Sequence, residues 1–124
     1  VAQSRFIRSV ASKEPCVIIG RLADHILKDR PNVIRIFILS SPDFAAKRLI
    51  SLNPQLTLSQ ALDKISQVNT ARANHSLRYA GRKWADPANY DIVFNTSTVQ
   101  IDRVVDVVCA LVLDRQKLKS KSQQ

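Results

Sequence analysis

The sequence predicts an α/β domain whose sheet is mainly parallel. Short apolar runs without alternation recur along the chain, which is typical of strands that are covered on both faces. Longer segments with apolar residues at helical spacing lie between these runs. Turn and cap residues separate the two kinds of segment and give the order α-β-α-β-α-α-β-α. Sheets of this type bind ligands beyond the carboxyl ends of their strands.

The first half of the chain contains two of the predicted strands. Residues 1–13 have the apolar spacing of an amphipathic helix, which Pro15 ends. Residues 16–19 form a short, β-branched run and predict a buried strand, followed by a short helix over 22–27. Residues 33–39 predict a second buried strand.

Cap residues mark the helices of the second half. Ser41 is a predicted N-cap, with Pro42 at the first helical position. Thr57 and Gln60 form a capping box, and the long helix that they open is predicted to end just before Gly81 as its left-handed cap.

The last strand and helix complete the predicted order. Residues 91–95 predict a third short strand, and Thr96, Ser97 or Thr98 caps the helix that follows. We expect the apolar face of this helix to point inward. That face consists of Ile101, Val104, Val105, Val108, Leu111 and Val112.

Composition and charge narrow the class of protein. The chain has 124 residues and a formal net charge of +9, which favours an anionic partner such as a nucleotide, a nucleic acid or an acidic membrane surface. Part of that charge lies in residues 117–124, a polar basic tail that we expect to be solvated. No apolar run approaches the ~20 residues of a membrane span.

Cys16 and Cys109 lie in apolar runs, which predicts buried thiols in a reducing, cytoplasmic compartment.

Two groups of residues are candidates for binding chemistry. Gly20 and Arg21 follow the first predicted strand, where an arginine suits a phosphate group because its planar fork donates paired hydrogen bonds and keeps its charge. Lys47, Arg48 and residues 69–84 form a second basic cluster that would serve as an electrostatic clamp on phosphates. For both groups an ordinary solvated surface is the competing interpretation. No motif for a serine hydrolase or a metal site is present.

Four segments together resemble a known family. They are "PCVIIGRLADHIL", "NVIRIFILSSPDFAAKRLI", "ARANHSLRYAGRKW" and "DPANYDIVFNTS", in the order and spacing of the cytidylate kinase-like proteins, a branch of the P-loop nucleoside monophosphate kinases. The resemblance extends from about residue 15 to residue 110. It implies a three-layer α/β/α fold with a parallel sheet, and transfer of a phosphoryl group from ATP, with Mg²⁺, to CMP, dCMP or a related nucleotide.

The resemblance also implies roles for particular residues. Arg21 would bind the phosphate of the acceptor nucleotide. Arg48 and Arg72 would be catalytic, near the two ends of a lid over residues 48–83, and Asn69 would bind substrate. The segment that lies near the base of ATP corresponds to Asn95, Thr96 and Ser97.

The chain departs from the family pattern at several places. Asn69 stands where the family usually has an aspartate, and His75 and Ser76 stand where it usually has two tyrosines. The two glycines, Gly20 and Gly81, make no P-loop. In the family the strand of that loop lies between the strands that match residues 16–19 and 33–39.

The missing strand leads to a prediction about the whole protein. A buried strand edge without a partner is costly, so we expect the position between residues 16–19 and 33–39 to be filled. Either residues 1–116 are the carboxyl-terminal part of a longer kinase domain, or another segment or chain fills that position. An alternative function is a non-catalytic, pseudokinase-like domain that binds a nucleotide or another anion. Nucleic-acid binding ranks last, since stacking aromatics are not interleaved with the cations.

Overall fold

The computed structural model describes residues 2–20 and 22–122, with side chains as far as residue 118. Helices and a small parallel sheet alternate in this part of the chain, as the sequence predicts for a mixed α/β protein. The strands are β1 (Ile36–Leu39) and β2 (Ile92–Asn95). The helices are α1 (Ala2–Lys13), α2 (Ala23–Ile26), α3 (Pro42–Leu52), α4 (Leu58–Ala80) and α5 (Ile101–Ser122), and a short 3-10 helix spans Pro87–Asn89.

The two strands pair in parallel and end at the same level. Their register runs from Ile36 opposite Ile92 to Leu39 opposite Asn95. The carbonyl of Leu39 accepts a hydrogen bond from the amide of Thr96, at 2.9 Å. Because backbone groups of successive residues in a strand point to opposite sides, the amides of Ile36 and Ile38 point to the edge of β1 away from β2. Among the described residues, that edge has no partner strand.

The predicted helix signals are confirmed. The Ser41 hydroxyl accepts a hydrogen bond from the amide of Phe44 at 3.2 Å, and Pro42 opens α3. The Thr57 capping box is complete at the start of α4. Gly81 has a φ of 65°, the left-handed conformation that a residue without Cβ adopts at least cost.

The prediction of a buried strand at residues 16–19 is wrong. This segment forms no ladder with the described residues, and the side chains of Val17 and Ile19 are 92% and 88% exposed. Ile18, between them, packs against the cluster of Ile7, Ala23 and Leu27 that joins α1 to α2. The segment therefore has one face on a helical core, but without a neighbouring strand it cannot form the ladder that defines a strand.

Burial of α5 and of the cysteines also differs from the predictions. Val104 is buried at 7% exposure, whereas Ile101 and Val105 on the expected inward face are about half exposed, at 54% and 53%. Both cysteines are exposed, so the prediction of buried thiols is wrong. In each case the described elements are too few to cover the apolar surface on both sides of a two-stranded sheet. The predicted tail from residue 117 is helical through Ser122, as the end of α5.

Asp91 connects the sheet to α5. Its carboxylate accepts a hydrogen bond from the backbone amide of Arg35 at 2.6 Å and pairs with the Arg115 guanidinium at 3.5 Å. Arg115 also donates to the carbonyl of Val33, at 3.2 Å. These contacts hold α5 beside the start of both strands. None of the helices in the described part of the chain is both long and apolar enough to cross a membrane.

Candidate functional site

A groove lies at the carboxyl end of the sheet. Both strands end here, and the residues after β2 are hydrogen-bonded to the end of β1 and to the residues that follow it. The amide of Ser41 donates to the Ser97 hydroxyl at 2.6 Å, and the amide of Ser97 donates to the Asn95 side chain at 3.0 Å. The hydroxyl of Thr96 donates to the carbonyl of Leu39 at 3.3 Å. The residues predicted to lie near the base of ATP therefore form a fixed turn at this edge.

Arg48 and Thr96 line the same groove, which has a volume of about 250 Å³. Arg48 is on the second turn of α3, whose direction is set by the Ser41 cap at the end of β1. Its side chain is exposed. The other residues of the groove are Ser40, Phe44, Ala45, Leu49, Leu52 and Ile65. The groove thus combines an apolar wall with a guanidinium and two hydroxyl groups, which suits a ligand that has both a flat apolar part and an anionic part.

Asn69 and Arg72 lie one turn apart on α4 and are both exposed. A spacing of three residues places them on the same side of the helix. Neither lines the groove that contains Arg48. The guanidinium carbon of Arg72 lies 5.9 Å from the centre of the Trp84 ring, in the geometry of a cation–π contact.

Arg21 lies outside the described residues. The residues on either side of it, Gly20 and Leu22, have φ values of 68° and 55°. A left-handed leucine is sterically disfavoured, and conformations of this kind are concentrated at ligand sites. The amide of Ala23 donates to the carbonyl of Gly20 at 3.2 Å.

A second opening, of about 380 Å³, lies by Arg35, which immediately precedes β1 at the opposite end of the strand. Its charged side chains are Asp24, Lys28, Arg35 and Arg82, together with His25. Two of these cations are already engaged within the protein. Arg82 pairs with the carboxylate of Asp24, and Arg35 donates to the carbonyls of Asp24 and Lys28.

The surroundings of this second opening lower the pKa of His25 from its ordinary value of 6.5. Burial is the main cause, because it disfavours the charged imidazolium, and the positive charges of Lys28 and Arg82 act in the same direction. The carboxylates of Asp24 and Asp29 oppose the effect. Within the described residues, no group of three or more His, Cys, Asp or Glu side chains is placed to hold a metal ion.

Comparison with known proteins establishes the family of the chain. A sequence model of the cytidylate kinase-like family matches residues 1–98. The chain belongs to the cytidylate kinase-like family. Membership indicates a kinase-like protein of the nucleotide kinase type, as the sequence resemblance implies.

Two individual relatives agree with this family. A cytidylate kinase of Methanosarcina barkeri (strain Fusaro / DSM 804) is 23% identical over 99 residues, which cover 80% of this chain and 55% of that protein. The chain therefore spans about half the length of this curated relative. A crystal structure of an uncharacterized protein from Eubacterium ventriosum ATCC 27560 is 32% identical, with a TM-score of 0.84, and the match covers 90% of this chain and 63% of that one.

Sequence reasoning missed two features of this cytidylate kinase-like chain. The pairing of Arg82 with Asp24 joins residues 58 positions apart, which no local pattern predicts. The contact of Arg72 with Trp84 joins a helix to the loop beyond its end, and the sequence pattern does not predict it either.

Proposed function

We propose that this chain supplies the acceptor side and the lid arginines of an ATP-dependent nucleoside monophosphate kinase that acts on CMP or dCMP. The observation that carries the proposal is the groove at the carboxyl end of the sheet, where Arg48 and Thr96 lie together. Family membership supports the reaction class, and the short distance between the ends of β1 and β2 supports a single nucleotide site.

The chemistry of phosphoryl transfer explains why arginines are needed here. Negative charge spreads over the equatorial oxygens of the transferred group, and positioned guanidinium groups stabilise it. Arg48 at the groove and Arg72 on α4 are the proposed catalytic arginines. A lid over residues 48–83, as the family resemblance implies, would bring them together when nucleotides bind. Arg48 and Arg72 lie on α3 and α4, which pack against each other.

Acceptor binding is assigned to Arg21 and Asn69. Arg21 follows the segment at residues 16–19, and its neighbours Gly20 and Leu22 have left-handed backbone conformations. Asn69 offers an amide where a carboxylate is usual in the family, so it can hydrogen-bond to a sugar hydroxyl but cannot neutralise a neighbouring arginine. This difference is expected to weaken the orientation of Arg72.

ATP and Mg²⁺ are the cofactors that the family implies. The fixed turn of Asn95, Thr96 and Ser97 suits the base end of ATP, since it presents side-chain and backbone polar groups beside an apolar wall. Carboxylates, which Mg²⁺ prefers as ligands, are not among the residues of this groove. The groups that hold the metal and the triphosphate are therefore proposed to lie outside the described residues.

A further strand is proposed between residues 16–19 and β1, which would complete a three-layer α/β/α fold with a P-loop. The exposed side chains of Val17 and Ile19 and the open edge of β1 support this position. The strand would come from another segment of the protein or from another chain. It would cover backbone groups that otherwise face water or remain unpaired.

A coupled assay for ADP production tests the proposed reaction. The complete protein is incubated with ATP, Mg²⁺ and CMP, dCMP, UMP or AMP in turn. We expect turnover with CMP or dCMP, and a fall in kcat of about 100-fold or more in Arg48→Gln and Arg72→Gln. Arg78→Gln is the matched control, because Arg78 lies on the same helix, α4, over Tyr79 rather than Trp84. Lack of ADP with every acceptor would exclude the catalytic proposal.

A non-catalytic nucleotide-binding domain is the second candidate. Asn69 favours it, because the amide removes a negative charge from the proposed acceptor site. Calorimetric titration of the complete protein with CMP separates the two functions. Binding without turnover supports the second candidate, whereas turnover excludes it.

A further inference from the structure

The Arg72 side chain rests on Trp84 in a way that leaves its hydrogen-bond donors available. The guanidinium carbon lies 5.9 Å from the centre of the indole ring. With the residues that the structure describes, Arg72 forms neither an ion pair nor a side-chain hydrogen bond. A guanidinium that contacts an aromatic face keeps its N–H groups directed outward in their plane, where they can donate to an anion.

Trp84 is itself held firmly against the sheet. Its ring packs against that of Phe37 in a T-shaped arrangement, with 5.1 Å between ring centres, and Phe37 is a buried residue of β1 at 8% exposure. The Tyr90 hydroxyl donates to the Trp84 carbonyl at 2.6 Å, and the Tyr90 ring lies 4.8 Å from that of Phe37. The position of Trp84 is therefore held by contacts of both its ring and its backbone.

The loop that carries Trp84 is also closed by hydrogen bonds. The Asn89 side chain donates to the carbonyl of Lys83 at 2.9 Å, and the amide of Asp86 donates to the same carbonyl at 3.3 Å. The Arg82 guanidinium lies over the Tyr90 ring at 6.0 Å. The loop thus presents a firmly held aromatic ring to the exposed Arg72 side chain of α4.

We propose that Trp84 is a positioning residue for Arg72, and that its indole face fixes the guanidinium plane so that the free N–H groups meet a nucleotide phosphate. This inference rests on the proposed function for the identity of the anion. Trp84 does not itself touch the phosphate. It restricts the rotamers of a long side chain, so that less conformational entropy is lost when the guanidinium pairs with the charge that develops on the transferred phosphoryl group.

Two substitutions distinguish an aromatic platform from simple bulk. In the complete protein, Trp84→Leu keeps an apolar side chain but removes the ring, and Trp84→Phe keeps a ring face. We expect Trp84→Leu to lower kcat by about 3- to 30-fold with little change in KM for CMP, which is the range of a cation–π contact. Trp84→Phe should restore most of the lost rate. Equal kinetic constants for wild type and Trp84→Leu would overturn the inference.

A double-mutant cycle shows whether Trp84 acts through Arg72. If it does, Trp84→Leu lowers kcat in the wild-type background but has almost no further effect in Arg72→Gln. Equal fold-changes in both backgrounds would mean that Trp84 affects the rate by a separate structural route and would contradict the proposal.

A spectroscopic measurement tests the contact without any need for catalysis. Trp84 is the one tryptophan in this sequence, and a fluorotryptophan label gives its ¹⁹F signal, assigned by its loss in Trp84→Phe. Arg72→Gln should shift that signal, whereas the control Arg78→Gln should not. An unchanged signal in Arg72→Gln would refute the contact.

The spectroscopic arm also separates failure of this inference from failure of the proposed function. If the protein produces no ADP but CMP shifts the Trp84 signal in wild type and not in Arg72→Gln, the kinase proposal fails and the positioning role stands. If CMP does not affect the Trp84 signal and calorimetry measures no binding of CMP, the role of Trp84 in positioning Arg72 toward a phosphate is excluded as well.

Discussion

Arg82 connects parts of the described chain that are far apart in sequence. Its guanidinium pairs with the carboxylate of Asp24, its carbonyl accepts a hydrogen bond from the buried Ser76 hydroxyl at 3.3 Å, and its charged group lies over Tyr90. The side chains of Arg82 and Asp24 are only 17% and 24% exposed, so water screens their interaction weakly. The pair ties α2 to the loop between α4 and β2.

Replacement of Arg82 by methionine should destabilise the protein. We expect Arg82→Met to lower the free energy of unfolding by about 2 kcal/mol, since Asp24 is left without its charged hydrogen-bond partner. The control is Arg103→Met, which breaks an exposed pair with Asp106, at 74% and 63% exposure, and should cost about 0.5 kcal/mol or less. Urea unfolding measures both. Similar losses for the two variants would contradict a special role for Arg82.

His25 makes stability depend on pH. Its pKa is lowered in the folded protein, so the unfolded chain binds the proton first as the pH falls below about 6.5. The folded state therefore loses stability relative to the unfolded state in that range. His25→Gln removes this contribution, and the free energy of unfolding of the variant should fall less than that of wild type between about pH 7.5 and about pH 5. The observation that His25→Gln has the same pH slope as wild type would show that His25 is not responsible.

At the scale of elements, α4 owes its start to a local signal. The Thr57 hydroxyl accepts from the amide of Gln60 at 3.2 Å, and the Gln60 side chain accepts from the amide of Thr57 at 2.9 Å. Each bond satisfies a donor that the helix itself cannot satisfy. The direction in which α4 leaves α3 is thereby fixed close to the groove that holds Arg48.

Loss of the cap should shorten or destabilise α4. Thr57→Ala is expected to lower the free energy of unfolding by about 1 kcal/mol. Thr70→Ala is the matched control, because Thr70 is an exposed threonine inside the same helix, where alanine is the better helix former. Thermal unfolding followed by circular dichroism compares the two. A control variant that loses as much stability as Thr57→Ala would argue against the cap.

At the scale of the whole molecule, the described chain leaves much apolar surface uncovered. Val17 and Ile19 are almost fully exposed, Ile38 is 55% exposed, and Leu113 on α5 is 57% exposed. These residues lie on elements that in an α/β protein pack on both faces of a wider sheet. The proposed strand between residues 16–19 and β1 would account for part of this surface.

Hydrogen exchange on the complete protein tests that strand at single residues. The amide of Phe37 points to β2, whereas those of Ile36 and Ile38 point to the open edge. If a strand lies there, all three amides should exchange slowly. Protection of Phe37 alone, with Ile36 and Ile38 exchanging as fast as loop amides, would rule the strand out. Phe37 thus serves as the internal control.

Local signals and distant contacts differ in how far the sequence reveals them. The caps at Ser41, Thr57 and Gly81 were predicted correctly because each depends on residues within one turn of the chain. The family was likewise recognised from short segments in order. The strand at residues 16–19 was predicted from composition but did not form, because a strand exists only with a neighbour, and none is among the described residues.

The sequence by itself determined the helices, the two strands that pair with each other and the family. Each of these depends on local spacing or on residues in register. Only the tertiary structure decided that Arg48 and Thr96 line one groove, that Arg72 rests on Trp84 and that Arg82 pairs with Asp24. The physical reason is that side chains far apart in the chain meet only when packing fixes the relative positions of the elements that carry them.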